Sequence, residues 1–82
     1  MMSVTDHIVV YILVNTHVGK EDEILAKIRA MDYVTEAYIV YGEFDIIAKL
    51  ELPQLEMLDS VVSQIRSIEG VTKTSTLITA SR

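Results

Sequence analysis

Tyr41-Gly42-Glu43-Phe44-Asp45 separates two runs of β-forming residues and lies at the midpoint of a chain that repeats itself. Sliding the sequence along itself by 37 positions puts Ile28 and Arg29 on Ile65 and Arg66, and Val34 and Thr35 on Val71 and Thr72. The same offset puts Asp22 on Asp59, Met31 on Ile68, Asp32 on Glu69 and Val40 on Leu77, and lays residues 8–14 over 45–51. One offset shared by separate stretches implies two copies of a strand, helix, strand unit. Two copies are too few for a solenoid, so residues 1–82 are expected to pack as one domain.

Working outward from the midpoint, residues 34–41 and 44–52 read as strands joined through Gly42 and Glu43 as a hairpin. In the later of them Phe44, Ile46, Ala48, Leu50 and Leu52 alternate with Asp45, Ile47, Lys49 and Glu51. The opening run from His7 to Asn15 is apolar without alternation, which predicts a strand buried on both faces. Ile24, Leu25, Ile28 and Met31 follow helical spacing behind an acidic start at Glu21, Asp22 and Glu23, where the helix dipole favours anions. Pro53 suits the first turn of a second helix with a stripe of Leu55, Leu58, Val61, Val62, Ile65 and Ile68, and Gly70 reads as its C-terminal stop. A last strand is expected from Val71 to Ala80.

Strand, helix, strand, strand, helix, strand, with right-handed crossovers, converges on an α+β, ferredoxin-like arrangement: a four-stranded antiparallel sheet with both helices on one face. The opposite face is left uncovered. A chain of 82 residues buries only about 60% of its unfolded surface when it folds alone. It has no cysteine for a disulfide or thiolate metal site, and half its residues are hydrophobic. Partner subunits are therefore the expected source of further burial, with a second copy lying sheet on sheet as a dimer.

Seven basic residues against twelve acidic ones leave a formal charge of −5, and the basic residues are scattered. That excludes a nucleic-acid-binding surface from the expectations. No apolar run approaches the roughly 18 residues of a membrane span, and no signal-peptide pattern opens the chain. A soluble, cytoplasmic protein is expected. His7 and His17 flank the first strand too far apart to share a metal, and no phosphate-cradling glycine loop or HExxH motif is present, so neither cofactor nor metal is expected. Thr72, Thr74 and Thr76 put a hydroxyl stripe on one face of the last strand. At the midpoint, Gly42 can take positive φ, turn amides can form an anion-binding concavity, and Asp45 adds a carboxylate. Amides beside a carboxylate complement a zwitterion.

The run YGEFDI resembles the hairpin of the RAM domain (regulation of amino-acid metabolism), the effector-binding half of the Lrp/AsnC transcription regulators, where glycine, any residue, tyrosine, aspartate follows a strand. The likeness extends along YILVNTHVGKEDEILAKI and IRSIEGVTKTSTLI, and so covers nearly the whole chain. It implies a ferredoxin-like fold, dimers that bring two sheets together, and rings of dimers such as octamers or decamers, with a free amino acid bound between dimers near the hairpin. Carried over residue by residue, the ligand contacts are Tyr41, Gly42, Glu43, Phe44 and Asp45, joined by Thr74 and Thr76. Phe44 stands where the family usually has tyrosine, so that hydroxyl is missing here. The regulators carry a DNA-binding domain ahead of this region, whereas only residues 1–6 precede the first strand. The expectation is a stand-alone amino-acid sensor or modulator that binds no DNA itself and joins full-length Lrp/AsnC regulators.

Two other readings stand beside it. Dimeric α+β barrels of the same outline include small monooxygenases and isomerases, with a pocket between sheet and helices that Asn15, His17 and Tyr38 would line; the large side chains on these elements and the lack of an acid/base pair argue against a roomy cavity. The other is a purely structural assembly partner.

Overall fold

The computed structural model describes residues 7–80. Strand β1 (Ile8–Thr16) leads into helix α1 (Glu21–Arg29), β2 (Val34–Ile39) and β3 (Ile46–Leu52); a 3₁₀ turn (Leu55–Met57) then runs into α2 (Leu58–Arg66) and β4 (Val71–Ile78). The strands form one antiparallel sheet in the order β2-β3-β1-β4. This is the expected ferredoxin-like βαββαβ topology, with β2 and β4 as the free edges.

Pairing fixes the faces. Ala37, Ala48, Ile12 and Thr76 make one row across the sheet, and Ile39, Ile46, Val14 and Thr74 make another, both toward the helices. Val10, Ile12, Val14, Ile46, Ala48, Leu50 and Leu52 are buried there against Ile24, Ile28, Val61 and Ile65. On the opposite face the rows Tyr38, Ile47, Leu13, Ser75 and Glu36, Lys49, Tyr11, Leu77 lie open. β1 is thus buried on its helix side and only half-buried on the other, where burial on both faces was expected.

α1 and α2 are 37 residues apart from end to end, and their buried residues coincide, Ile24 with Val61 and Ile28 with Ile65. Tyr33 and Gly70, also 37 apart, both take positive φ, 73° and 102°, in the turns that lead from helix to strand. The central strands depart from that offset. It maps buried Val10 and Ile12 onto Ile47 and Lys49, which point to the open face, because an odd displacement within a strand exchanges its two sides. The duplication therefore holds for the helices and the turns after them, and slips by one residue in the paired centre.

Three boundaries differ from the sequence expectations. The hairpin is not a tight turn through Gly42 and Glu43: β2 ends at Ile39 and β3 starts at Ile46, leaving residues 40–45 as the connection. Pro53 precedes a 3₁₀ turn instead of entering α2 directly, and Leu55, expected in the helical stripe, is 45% exposed. Gly70 lies beyond the α2 cap at Ser67 and serves the turn into β4.

Candidate functional site

The connection between β2 and β3 is held at its base. Val40 N–H donates to the Asp45 carbonyl (2.9 Å), and Asp45 N–H donates to the Val14 carbonyl (3.0 Å), which locks the last loop residue to the end of β1. The Asp45 carboxylate then reaches along the same end of the sheet, where Oδ2 accepts a hydrogen bond from the Thr16 amide at 2.9 Å. β1 needs such a partner there because its ladder with β3 ends at the Val14–Ile46 pair, so the Thr16 amide, on the same side of β1 as the Val14 carbonyl, runs past the start of β3. The Thr16 hydroxyl oxygen is buried and has no partner among the described residues. An unpaired buried hydroxyl costs about 1–3 kcal/mol, so the end of β1 has polar capacity to spare.

Above this base the loop is open. Tyr41 is 99% exposed, Gly42 and Glu43 are exposed, and Phe44 is half-buried. Gly42 has φ 145°, a backbone region closed to most L-residues, although a Cβ there would meet nothing within 4 Å. The glycine is required by conformation and not by space. Among the described residues, the amides of Gly42, Glu43 and Phe44 donate no hydrogen bond, and the Asp45 carboxylate accepts one only through Oδ2.

β4 enters the site by a residue that the sequence reading passed over. Lys73, opposite Asn15 on the open face, sets its Nζ 5.8 Å from the centroid of the Phe44 ring. At that distance the cation and the ring attract each other, which ties the loop to the edge strand two positions away in the sheet. Thr74 and Thr76 share a face as expected, but it is the helix-covered one. Thr74 lies in the row of Val14, beside the base of the loop, and Thr76 lies one row further in, opposite Ile12. The structure thus brings Asp45, Phe44, Thr16, Lys73 and Thr74 to one end of the sheet and leaves Thr76 farther from it. No sequence signal marked Lys73, because its neighbour depends on where β1 and β4 change register.

Asn15 and Tyr38 do not line a space under the sheet: both belong to open-face rows, and His17 is an exposed residue past the end of β1. On that open face Tyr38 Oη donates to Glu36 Oε1 at 2.9 Å, and Lys49 Nζ lies 3.8 Å from Glu36 and 3.9 Å from Glu51. The hydrogen bond to Glu36, with the charge of that carboxylate, raises the Tyr38 phenol above its ordinary pKa of 10.0. No group of three His, Asp or Glu side chains able to hold a metal occurs among the described residues. No helix there is long and apolar enough to cross a membrane.

The elements define a small α+β domain built on a ferredoxin-like sheet. A family model described as the Lrp/AsnC ligand binding domain matches residues 9–82, and the chain belongs to that family. It is 31% identical over 72 residues to the HTH-type transcriptional regulator FL11 of Pyrococcus furiosus; the match takes in 88% of this chain and 48% of the regulator, so the chain spans about half the length of this curated relative. The crystal structure of FFRP-DM1 is 42% identical and superposes with a TM-score of 0.84 over 89% of this chain and 99% of that one. The transcriptional regulator NMB0573 of Neisseria meningitidis, solved as a complex with L-Met, shares the fold at a TM-score of 0.81 and 17% identity, over 99% of this chain and 56% of that one.

Proposed function

We propose that the domain binds a free amino acid at the β2–β3 loop and acts, without catalysis, as a sensor or modulator in Lrp/AsnC-type transcription regulation. One observation carries the reading: among the described residues, Asp45 has one carboxylate oxygen fixed by the Thr16 amide and the other without a hydrogen bond, at the end of a loop whose glycine-centred amides are unoccupied. A carboxylate held in place by a backbone bond is a pre-organised partner for an ammonium group, and the amides of Gly42 and Glu43 are the matching donors for a carboxylate. Tyr41 and Phe44 supply apolar surface for the ligand side chain, and Thr74 a hydroxyl; Thr76, one row further in, is the weakest of the set. Family membership and the L-Met complex of NMB0573 agree with an amino-acid ligand. An affinity between about −8 and −4 kcal/mol, micromolar to millimolar, is enough to follow metabolite levels.

The same reading assigns the open face to a second copy of the chain. Tyr11, Leu13, Ile47, Tyr38 and Leu77 form an apolar field there, edged by Glu36, Lys49 and Glu51. Sheet-on-sheet pairing would bury it, and rings of such dimers would set the loop of one beside another. Full-length regulators of the family are the further partners this arrangement suits. Against the barrel-enzyme reading stands the filled interior, where Val10, Ile12, Ile24, Ile28, Leu50 and Ile65 all reach zero exposure between sheet and helices. Calorimetric titration with each free amino acid tests the proposal, and heats indistinguishable from dilution at millimolar ligand throughout would refute it.

A further inference from the structure

The duplication creates two equivalent clefts, one beside each edge strand, and they differ in chemistry. The first is lined by Arg29, Val34, Thr35, Glu36, Ala37 and Tyr38, with a volume of ≈ 230 Å³. The second, of ≈ 390 Å³, is lined by Arg66, Val71, Thr72, Lys73 and Thr74. At the repeat offset arginine, valine and threonine recur in both, whereas Glu36 becomes Lys73 and Ala37 becomes Thr74. In the first cleft the arginine is already engaged: Arg29 Nε and Nη2 donate to the Ala37 carbonyl at 3.0 and 2.7 Å. That forked bond closes a carbonyl on the β2 edge and leaves the cleft an acid, Glu36, and no free cation. Arg66 makes no hydrogen bond or ion pair among the described residues, and neither does the Lys73 ammonium, which rests over the Phe44 ring.

We infer that the cleft between the end of α2 and the start of β4 is a binding site for a small oxyanion, phosphate or carboxylate, held by the Arg66 guanidinium with Thr72 and Thr74. An unengaged planar fork in a cleft that also carries threonine hydroxyls matches two oxygens of such a group. The twin cleft is the internal control, because the same scaffold there has spent its arginine on its own backbone. The site goes beyond the loop reading and is centred on Arg66, with Lys73 and Thr74 bordering both.

The test is backbone amide NMR at matched ionic strength, titrating the intact protein with inorganic phosphate and, separately, with acetate. Saturable shifts are expected at Thr72, Lys73 and Thr74 with at least one of the two anions, and none at Thr35, Glu36 and Ala37; the tighter anion identifies the ligand class. Loss of one charge-assisted pair in Arg66→Gln weakens binding about tenfold. Thr72→Val, at an exposed strand position, weakens it in the same direction. Non-saturating shifts with both anions, equal responses in the two clefts, or undiminished binding in both variants would overturn the site. Amino-acid titration of Asp45 variants is unaffected by that outcome, so failure here and failure at the loop are read separately.

Discussion

Asp45 has one duty in the fold, the bond to the Thr16 amide, and a second in the proposed site, and two substitutions separate them. Removing the side chain in Asp45→Ala deletes the acceptor of the Thr16 amide; a half-buried charged hydrogen bond of this kind, partly screened by solvent, is worth about 1 kcal/mol, measurable by urea denaturation. Asp45→Asn keeps an acceptor for Thr16 and loses only the charge, so the fold is expected to keep its stability while any ammonium contact weakens. Gly70 makes a sharper demand. Its φ of 102° and the 3.0 Å from a built Cβ to Ile24 Cδ1 leave Gly70→Ala both strained and crowded, and a loss of about 1–3 kcal/mol is expected by the same method. Its repeat mate Tyr33 takes positive φ with a side chain attached, strain that Tyr33→Gly would relieve. Of these residues, Gly42 and Asp45 were legible as turn chemistry in the sequence. The Thr16 bond and the Lys73 contact were not, because the first depends on where β3 stops short of the end of β1 and the second on the register of β4, neither of which a local pattern announces.

At the scale of elements, the helices and outer strands were readable because apolar spacing and a common offset agree. The offset failed where β1 and β3 pair: β1 is apolar on both sides, so nothing in its composition distinguishes the buried row from the open one. The hairpin came out wider than Gly42 and Glu43 alone suggest because the Val40 N–H closes the loop on the Asp45 carbonyl while the Asp45 N–H turns to the Val14 carbonyl of β1. The open face offers a titration of its own. Ionising Tyr38 would put a phenolate against the Glu36 carboxylate, so the neutral phenol is favoured in the folded state and its pKa lies above 10.0. The stability it confers is present below pH 10 and fades as pH rises through the raised value. Phenolate absorbance should show Tyr38 titrating above its ordinary value, and Glu36→Gln should lower that midpoint; an unchanged curve would deny the pairing.

For the whole molecule, a single core between sheet and helices explains why the chain folds, and the uncovered apolar face explains why it should not remain alone. Ile12, fully buried at the centre of the helix-side rows, is a measure of the first: Ile12→Ala is expected to cost about 2–5 kcal/mol. Leu13→Glu, one residue on and facing the open side, should spare the fold and lower the mass seen by light scattering, since a charge facing its own copy across the dimer has no partner. The fold and its open face follow from periodicity and topology, whereas the proposed ligand contact rests on a loop whose hydrogen bonds only the folded sheet defines. The most direct test of the central claim is therefore calorimetric titration of the wild-type protein and Asp45→Asn with each of the common amino acids. Saturable binding of at least one in the micromolar to millimolar range, weakened about tenfold or more by the substitution, is the predicted result; no binding by wild type, or equal affinity in both proteins, would contradict it.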